Sequence, residues 1–404
     1  MNFAFRSSFR LIRKFAAVRS ITTTARQRPQ VHVLGLGSIG AFAAHSLAEI
    51  PSRPNIKLLL HRASLLNDYK ANGSQITLKT REGGVVNHSE FDFEVLHNST
   101  SWHVASEIDG VGESSAASGS RVNDTIENLI LCVKGKQTVD ALRPLRYRLN
   151  RNSNILFLQN GSGMMEEASE KIFTDPKTRP NYLMGVISHG VGQNSPFNIT
   201  HTGFAATSLG PVPRSLDPDE NIANKTAPDD ANYLLQNLPL VPRFNAKSYT
   251  FTDVLQIQLE KLAVNAFSNP ICGLNDSVVG TLSAIPETRR ALTAEISRVV
   301  QALPELQSVP GIKERFSAEG LDQTVNAIIT MNAKTTVSMV WDLRAGRETE
   351  IQFINGYWSR RGRELGIPTP INDGLVQGIM EKTERIQRER REGGVLKDAA
   401  GVKS

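Results

Sequence analysis

The chain has 404 residues, enough for two domains with separate cores. Its formal charge of +6 sits in the first 30 residues, which hold seven of the 46 basic residues and no acid. The body that remains has 39 basic against 40 acidic residues, so the high net charge gives no ground for nucleic-acid binding. No apolar run is long enough to span a bilayer, and the two cysteines, Cys132 and Cys272, make no disulfide framework and fit a reducing compartment.

At the N-terminus, Phe5, Phe9, Ile12 and Ala16 cluster on a helical wheel, while Arg6, Arg10, Arg13 and Lys14 fall on another face. An acid-free stretch rich in Arg, Ser and Thr has the composition of a mitochondrial transit peptide. Residues 1–30 are therefore expected to direct the chain to the mitochondrial matrix, a basic surface helix being the alternative. A strand pattern follows at 31–34, then Gly35, Leu36, Gly37, Ser38, Ile39 and Gly40, then a helical run from about 41 to 50. Strand, G-x-G-x-x-G and helix in that order form a dinucleotide-binding turn. Gly35 permits the tight turn, Gly37 lets a pyrophosphate approach the backbone, and Gly40 lets helix and strand pack closely. The helix N-terminus then faces the phosphates.

The next strand, 56–60, ends in His61 and Arg62 with no acidic residue for a ribose diol. Arg62 can instead pair with a 2′-phosphate, which points to NADP, although an ordinary surface arginine fits as well. Short alternating segments over 72–108 read as hairpin strands, and 110–120 (GVGESSAASGS) as a low-complexity loop. Continuous apolar strands at 129–133 and 154–158 end in Lys134-Gly135-Lys136-Gln137 and Gln159-Asn160-Gly161-Ser162-Gly163. Such polar ends mark the carboxyl edge of a parallel sheet, where ligands bind in open α/β folds. Residues 182–210 are β-prone, and 211–230 read as a loop or insertion.

Beyond Phe251 four or five helical patterns follow without a clear strand, so the chain reads as an α/β protein with a domain boundary near Lys247. In the first of these helices Lys261, Asn265 and Asn269 recur at i, i+4 and i+8 and project from one face. One cation and two carboxamides in line fit a small anionic molecule, and they also fit a solvated helix face. In a further segment, 335–362, Ser338, Asp342 and Glu350 fall at i, i+4 and i+12, as on one helix face. The charged stretch 386–404 reads as a solvated tail.

These motifs together resemble the ketopantoate reductase (2-dehydropantoate 2-reductase) family. The resemblance rests on GLGSIG at 35–40, HR at 61–62, VKGKQ at 133–137, QNGSG at 159–163, KLAVNAFSNP at 261–270 and SMVWDLRAGRETEIQFINGY at 338–357. It implies a Rossmann-type dinucleotide-binding domain over 31–247 and an all-helical substrate domain over 248–385, with the active site in the cleft. It further implies that Lys261 polarises a ketone with Glu350 as its acidic partner. Asn265, Asn269 and Ser338 would hold the substrate, and Lys134 and Asn160 would lie near the nicotinamide end of NADPH. Asp342 matches a family position that orients its helix. The chain departs from the pattern at Gln352, where the family usually has an acid, and in longer loops at 110–122 and 211–232. The expected partner is a 2-keto acid, with no nucleic acid, no metal and no membrane insertion, and a homodimer stays open. Two other readings compete with ketopantoate reduction: a reductase of another branched 2-keto acid, and a mitochondrial binding or assembly factor that keeps only the fold.

Overall fold

A computed structural model describes residues 28–105, 120–214 and 232–401. The basic N-terminal segment to residue 27 lies outside the described residues, as do most of the two long loops. The first half of the chain alternates strand and helix. It runs through β1 (Gln30–Leu34), α1 (Ser38–Leu47), β2 (Asn55–Leu60), α2 (Ser64–Ala71), β3 (Ile76–Thr80), β4 (Val85–His88), β5 (Asp92–His97) and β6 (Ser101–Val104). It continues with β7 (Asn128–Leu131), α3 (Thr138–Leu142), β8 (Asn154–Phe157), α4 (Met164–Lys171), β9 (Asn181–Ile187), β10 (Gly190–Ser195), β11 (Asn198–Gly203), β12 (Thr207–Val212), α5 (Tyr233–Asn237) and β13 (Ala246–Ser248).

The main sheet has nine strands in the order β13-β12-β9-β8-β7-β1-β2-β5-β6. Its centre, from β9 to β5, is parallel throughout. The chain leaves β1 toward β2 on one side and returns at β7 on the other. The gap beyond the carboxyl ends of β1 and β7 is therefore the topological switch point where a dinucleotide lies in such folds. The buried runs Leu129-Ile130-Leu131 and Ile155-Leu156-Phe157 face helices on both sides, which is why they show no polar alternation. The hairpin reading of 72–108 holds for β3 with β4 and for β5 with β6, both antiparallel pairs, and the second hairpin joins the main sheet through β5, which runs parallel to β2. Together β10, β11, β3 and β4 form a second, four-stranded sheet against α1.

After Ser248 every described element is helical: α6 (Phe251–Asn275), α7 (Pro286–Ala302), α8 (Ile312–Arg315), α9 (Ala318–Met331), α10 (Ser338–Arg344), α11 (Asn355–Glu364) and α12 (Pro370–Gly401), with short 3-10 turns between them. α12 continues through residue 386 without interruption. No helix among the described residues is long and apolar enough to cross a membrane.

The central element is α6. Thr250 caps its start, its side chain accepting from Asp253 N at 3.3 Å. One side packs on β9 and β12 and the other on α9, α10 and α12. Pro270 sits inside this helix and offers no N–H to the carbonyl of Ala266. That carbonyl is served from elsewhere, by Asn355 Nδ2 at 2.9 Å. Asn355 also donates to Asn372 Oδ1 at 3.0 Å, and Asn372 donates through Nδ2 to Glu295 Oε2 at 3.0 Å. All three side chains are buried. A proline in the site-bearing helix is thus tolerated because a buried polar chain from α11, α12 and α7 satisfies the group it orphans.

The segment 335–362, read from the sequence as one helical face, is broken. α10 stops at Arg344, Gly346 takes φ +65°, and Glu350 begins a separate 3-10 turn, Ile351–Phe353. The i+12 spacing of Ser338 and Glu350 is therefore not a helical relation.

Candidate active site

The glycine loop is built as its spacing predicts. Gly35 adopts φ +94°, and a Cβ there would come within 2.5 Å of Val133 N. At Gly40 a Cβ would overlap the carbonyl of Gly35, which fixes how closely α1 approaches β1. At Gly37 a Cβ would meet nothing within 4 Å, so this glycine faces open space. Gly37 caps α1 without a side-chain hydrogen bond, and the first turn holds no acid. The first-turn N–H groups, which include those of Ser38, Ile39 and Gly40, are thus left for an anion. Leu36 lies beside them, its carbonyl accepting from Gln193 Nε2 at 3.2 Å. These residues fit the pyrophosphate of a dinucleotide. Arg62 lies exposed just beyond the carboxyl end of β2, with Nε donating to Ser64 Oγ at 3.0 Å and Nη1 3.1 Å from His61 Nε2. A second phosphate could reach its free guanidinium edge.

Lys261 projects from α6 onto the carboxyl edge of the sheet. Its ammonium donates to Asn160 Oδ1 at 2.9 Å, just after β8, and to the carbonyl of Ile187 at 2.6 Å, the last residue of β9. An ammonium has three protons, so one remains to be directed elsewhere. Burial lowers the Lys261 pKa to about 8, and the charge of Glu350 opposes part of that fall. One turn along the same face, Asn265 is half-buried and its side chain makes no hydrogen bond among the described residues. Asn269, a further turn on, is buried and accepts from Ser268 Oγ at 3.3 Å.

Lys134, three residues past the end of β7, reaches Asp342 Oδ2 at 3.0 Å and Glu350 Oε2 at 3.5 Å. Burial by itself would lower the Lys134 pKa, but the charges of Glu350 and then Asp342 outweigh it and the pKa is raised. Asp342 is held on its other oxygen by Arg347, with Nε at 3.1 Å and Nη2 at 3.0 Å. The partner in direct contact with Glu350 is therefore Lys134, and Glu350 acts on Lys261 through its field. Ser338 is exposed at the first residue of α10, one turn before the buried Asp342.

Three groups that the sequence did not single out complete the arrangement. Phe353 wedges against two glycines: a Cβ on Gly135 would come within 2.7 Å of its ring, and one on Gly161 within 2.5 Å of its carbonyl oxygen. That carbonyl also accepts from Ser162 N at 2.7 Å. The wedge registers the Glu350 turn on the ends of β7 and β8. Gln258, one turn before Lys261, donates to the carbonyl of Gly161 at 2.6 Å and to Ser162 Oγ at 3.1 Å. Arg347 is the third. Its charge, with Lys134 and Lys261, sets three cations against the carboxylates of Asp342 and Glu350, and the surplus suits an anionic substrate. Gln258 carried a sequence signal in its i−3 spacing from Lys261 on the same helix, and Arg347 and Phe353 only in lying within the 338–357 motif.

A parallel sheet with a glycine loop that fits a dinucleotide, and a half-buried lysine poised at its carboxyl edge, defines a two-domain oxidoreductase. Residues 31–214 match the ketopantoate reductase family PanE/ApbA, and residues 253–383 match the C-terminal part of the same family. The chain is 30% identical over 360 residues to a 2-dehydropantoate 2-reductase of Saccharomyces cerevisiae, covering 83% of this chain and 88% of the yeast protein. It is 29% identical over 359 residues to a probable 2-dehydropantoate 2-reductase of Schizosaccharomyces pombe, covering 86% and 94%. A ketoisovalerate reductase of Gibberella fujikuroi is 25% identical over 404 residues, covering 91% and 85%. Among solved structures, a probable 2-dehydropantoate 2-reductase from Bacillus subtilis superposes with a TM-score of 0.61 at 20% identity, covering 87% of this chain and 99% of that one. A D-mandelate dehydrogenase bound to NADH and anilino(oxo)acetate gives 0.61 at 19% identity, covering 88% and 99%. The chain belongs to the ketopantoate reductase family.

Proposed function

We propose that this chain reduces 2-dehydropantoate to pantoate with NADPH, in the route to pantothenate and coenzyme A. The observation that carries the reading is the half-buried ammonium of Lys261, two of whose protons are held by Asn160 and the Ile187 carbonyl while the third is left to point at a ligand. The bound dinucleotide supplies a hydride to the keto carbon. Lys261 hydrogen-bonds the ketone oxygen, stabilises the negative charge that develops there, and passes a proton from Nζ to it. Carbonyl, hydride and proton give the alcohol, and the neutral amine then recovers a proton from solvent. A pKa of about 8 suits a donor working near neutral pH. Glu350 keeps that pKa from falling further. Asn265 and Asn269 bind the polar groups of the substrate with Ser338, Lys134 and Asn160 line the nicotinamide end, and Arg62 selects the 2′-phosphate.

The test is an NADPH-oxidation assay of protein starting near Arg28 against a panel of 2-keto acids. Preference for 2-dehydropantoate supports the reading. The ketoisovalerate reductase that matches most of the chain makes 2-ketoisovalerate the competitor to include. Turnover of that acid alone would move the assignment, and inactivity on all acids would favour a binding or assembly role. We also place the protein in the mitochondrial matrix, on the acid-free Arg-rich start. Residues 1–20 fused to a reporter should enter mitochondria, and replacement of Arg6, Arg10, Arg13 and Lys14 by Glu should abolish this. A cytosolic wild-type fusion would refute it.

A further inference from the structure

We propose that His45, Glu49 and His88 form a binding site for one divalent cation of the zinc class. His45 lies in the last turn of α1 and Glu49 follows one turn on, while His88 ends β4 of the second sheet. One ligand atom from each lies within 4.8 Å of the other two.

The hydrogen-bond accounting points to a cation. The His45 ring is fully buried, and its Nε2 lies 3.2 Å from the carbonyl of Val86, so Nε2 carries the hydrogen. Burial disfavours a second proton on the ring, and Nδ1 presents a lone pair. That lone pair has no hydrogen-bond partner and faces Glu49 Oε1 at 3.6 Å. Two acceptors face each other with His45 buried and Glu49 half-buried, an arrangement that costs energy unless something positive lies between them. His88 Nε2 is also buried without a hydrogen bond, 3.8 Å from the same oxygen, and the two imidazole rings meet edge-on with centroids 4.4 Å apart. Three potential ligands therefore converge on one spot, two of them unpartnered.

The donor set and its surroundings fit zinc. Two imidazoles and a carboxylate are a common zinc set, with water as the fourth ligand. Bonds of about 2.0–2.2 Å in a tetrahedron set ligands roughly 3.3–3.6 Å apart. The two separations from Glu49 are near that range already, and a turn of the half-buried His88 ring would close the third. A backbone carbonyl on the far nitrogen of His45 is the usual outer partner of a zinc-bound imidazole. Arg243 Nε donates to Glu49 Oε1 at 2.9 Å and orients the carboxylate from outside, while its charge weakens the site. The site lies at the far end of α1 from the glycine loop, a helix about 15 Å long. The ion would therefore tie the β3–β4 hairpin to the helix that presents the phosphate loop, with no part in hydride transfer.

The experiment uses tag-free full chain, stripped with chelator and titrated with zinc chloride by calorimetry. Cobalt(II) absorption serves as a second readout, and melting temperature is followed with and without metal. The expected result is one zinc per chain and a higher melting temperature with zinc. His88→Ala should weaken zinc by more than about a hundredfold, beyond the 10–100-fold typical of losing an outer partner. Glu49→Gln serves as the second variant should His88→Ala not fold. No zinc uptake by folded wild type overturns the proposal, and so does equal uptake by a folded His88→Ala or Glu49→Gln variant.

Discussion

Replacing Lys261 by Met separates catalysis from scaffolding, because the structure makes the two contributions differ in sign. Lowering the lysine pKa from 10.5 to about 8 means that holding its ammonium in the fold costs about 3.5 kcal/mol at neutral pH, at roughly 1.4 kcal/mol per unit. Met fills similar volume and removes that cost. It also leaves the Ile187 carbonyl and Asn160 Oδ1 without their donor, about 1–3 kcal/mol each. The terms largely cancel, so the melting temperature should move by only a few degrees. Turnover should fall by roughly 10²–10⁴, the range for losing one proton donor or oxyanion-stabilising group. The pH dependence supplies an internal control. The folded pKa is depressed below the unfolded value, so the penalty is full below about pH 8 and fades as pH rises toward 10.5. Wild type should gain stability relative to Lys261→Met across that window while its reductase rate declines above pH 8. Single-turnover hydride transfer and thermal melts on the same preparations measure both. A folded, NADPH-binding Lys261→Met protein that turns over within a few-fold of wild type would refute the catalytic role. So would a large loss of stability with normal turnover per folded molecule.

Arg62→Ala should weaken NADPH by about 1.5–3 kcal/mol and leave NADH nearly unchanged, and equal weakening of both in paired KM measurements would make Arg62 structural. Gly37→Val places its side chain in open space at an extended backbone conformation, so the fold should survive. NADPH binding should nevertheless drop by roughly tenfold or more, since the new atoms occupy the pyrophosphate's approach; fluorescence titration that finds unchanged affinity would place the phosphates elsewhere. Asn355→Ala strands the buried Ala266 carbonyl and Asn372 Oδ1, and chemical denaturation should show a loss of about 2–5 kcal/mol. An unaltered denaturation midpoint would mean that water replaces the amide.

Much of the fold was legible because it is written in local pattern. The strand–glycine–helix turn, the two-sided apolar strands and the Lys261-Asn265-Asn269 face each follow from neighbours a few residues apart. What escaped the sequence depends on partners far away. That the β5–β6 hairpin enters the main sheet while the β3–β4 hairpin enters the second one is decided by β2 and β11, not by their own alternation. The break at Gly346 is invisible to a helical wheel, yet Asp342 and Glu350 still converge, since both meet Lys134 from across the domain boundary. Phe353 reads as one more core residue until two glycines on other strands are seen to make room for it.

Pro270 also sets an order of assembly. The nucleotide domain finishes at Ser248, and its sheet can close while the ribosome is still translating the rest. The helix that carries Lys261 cannot be buried at low cost then, because the donor for its orphaned carbonyl is Asn355. At ordinary synthesis rates that donor arrives on the order of 5–20 s later. The nascent chain therefore acquires a place for the dinucleotide well before it acquires a seated lysine. A transcript cut short before codon 355 would yield, at most, a protein that holds cofactor without spending it.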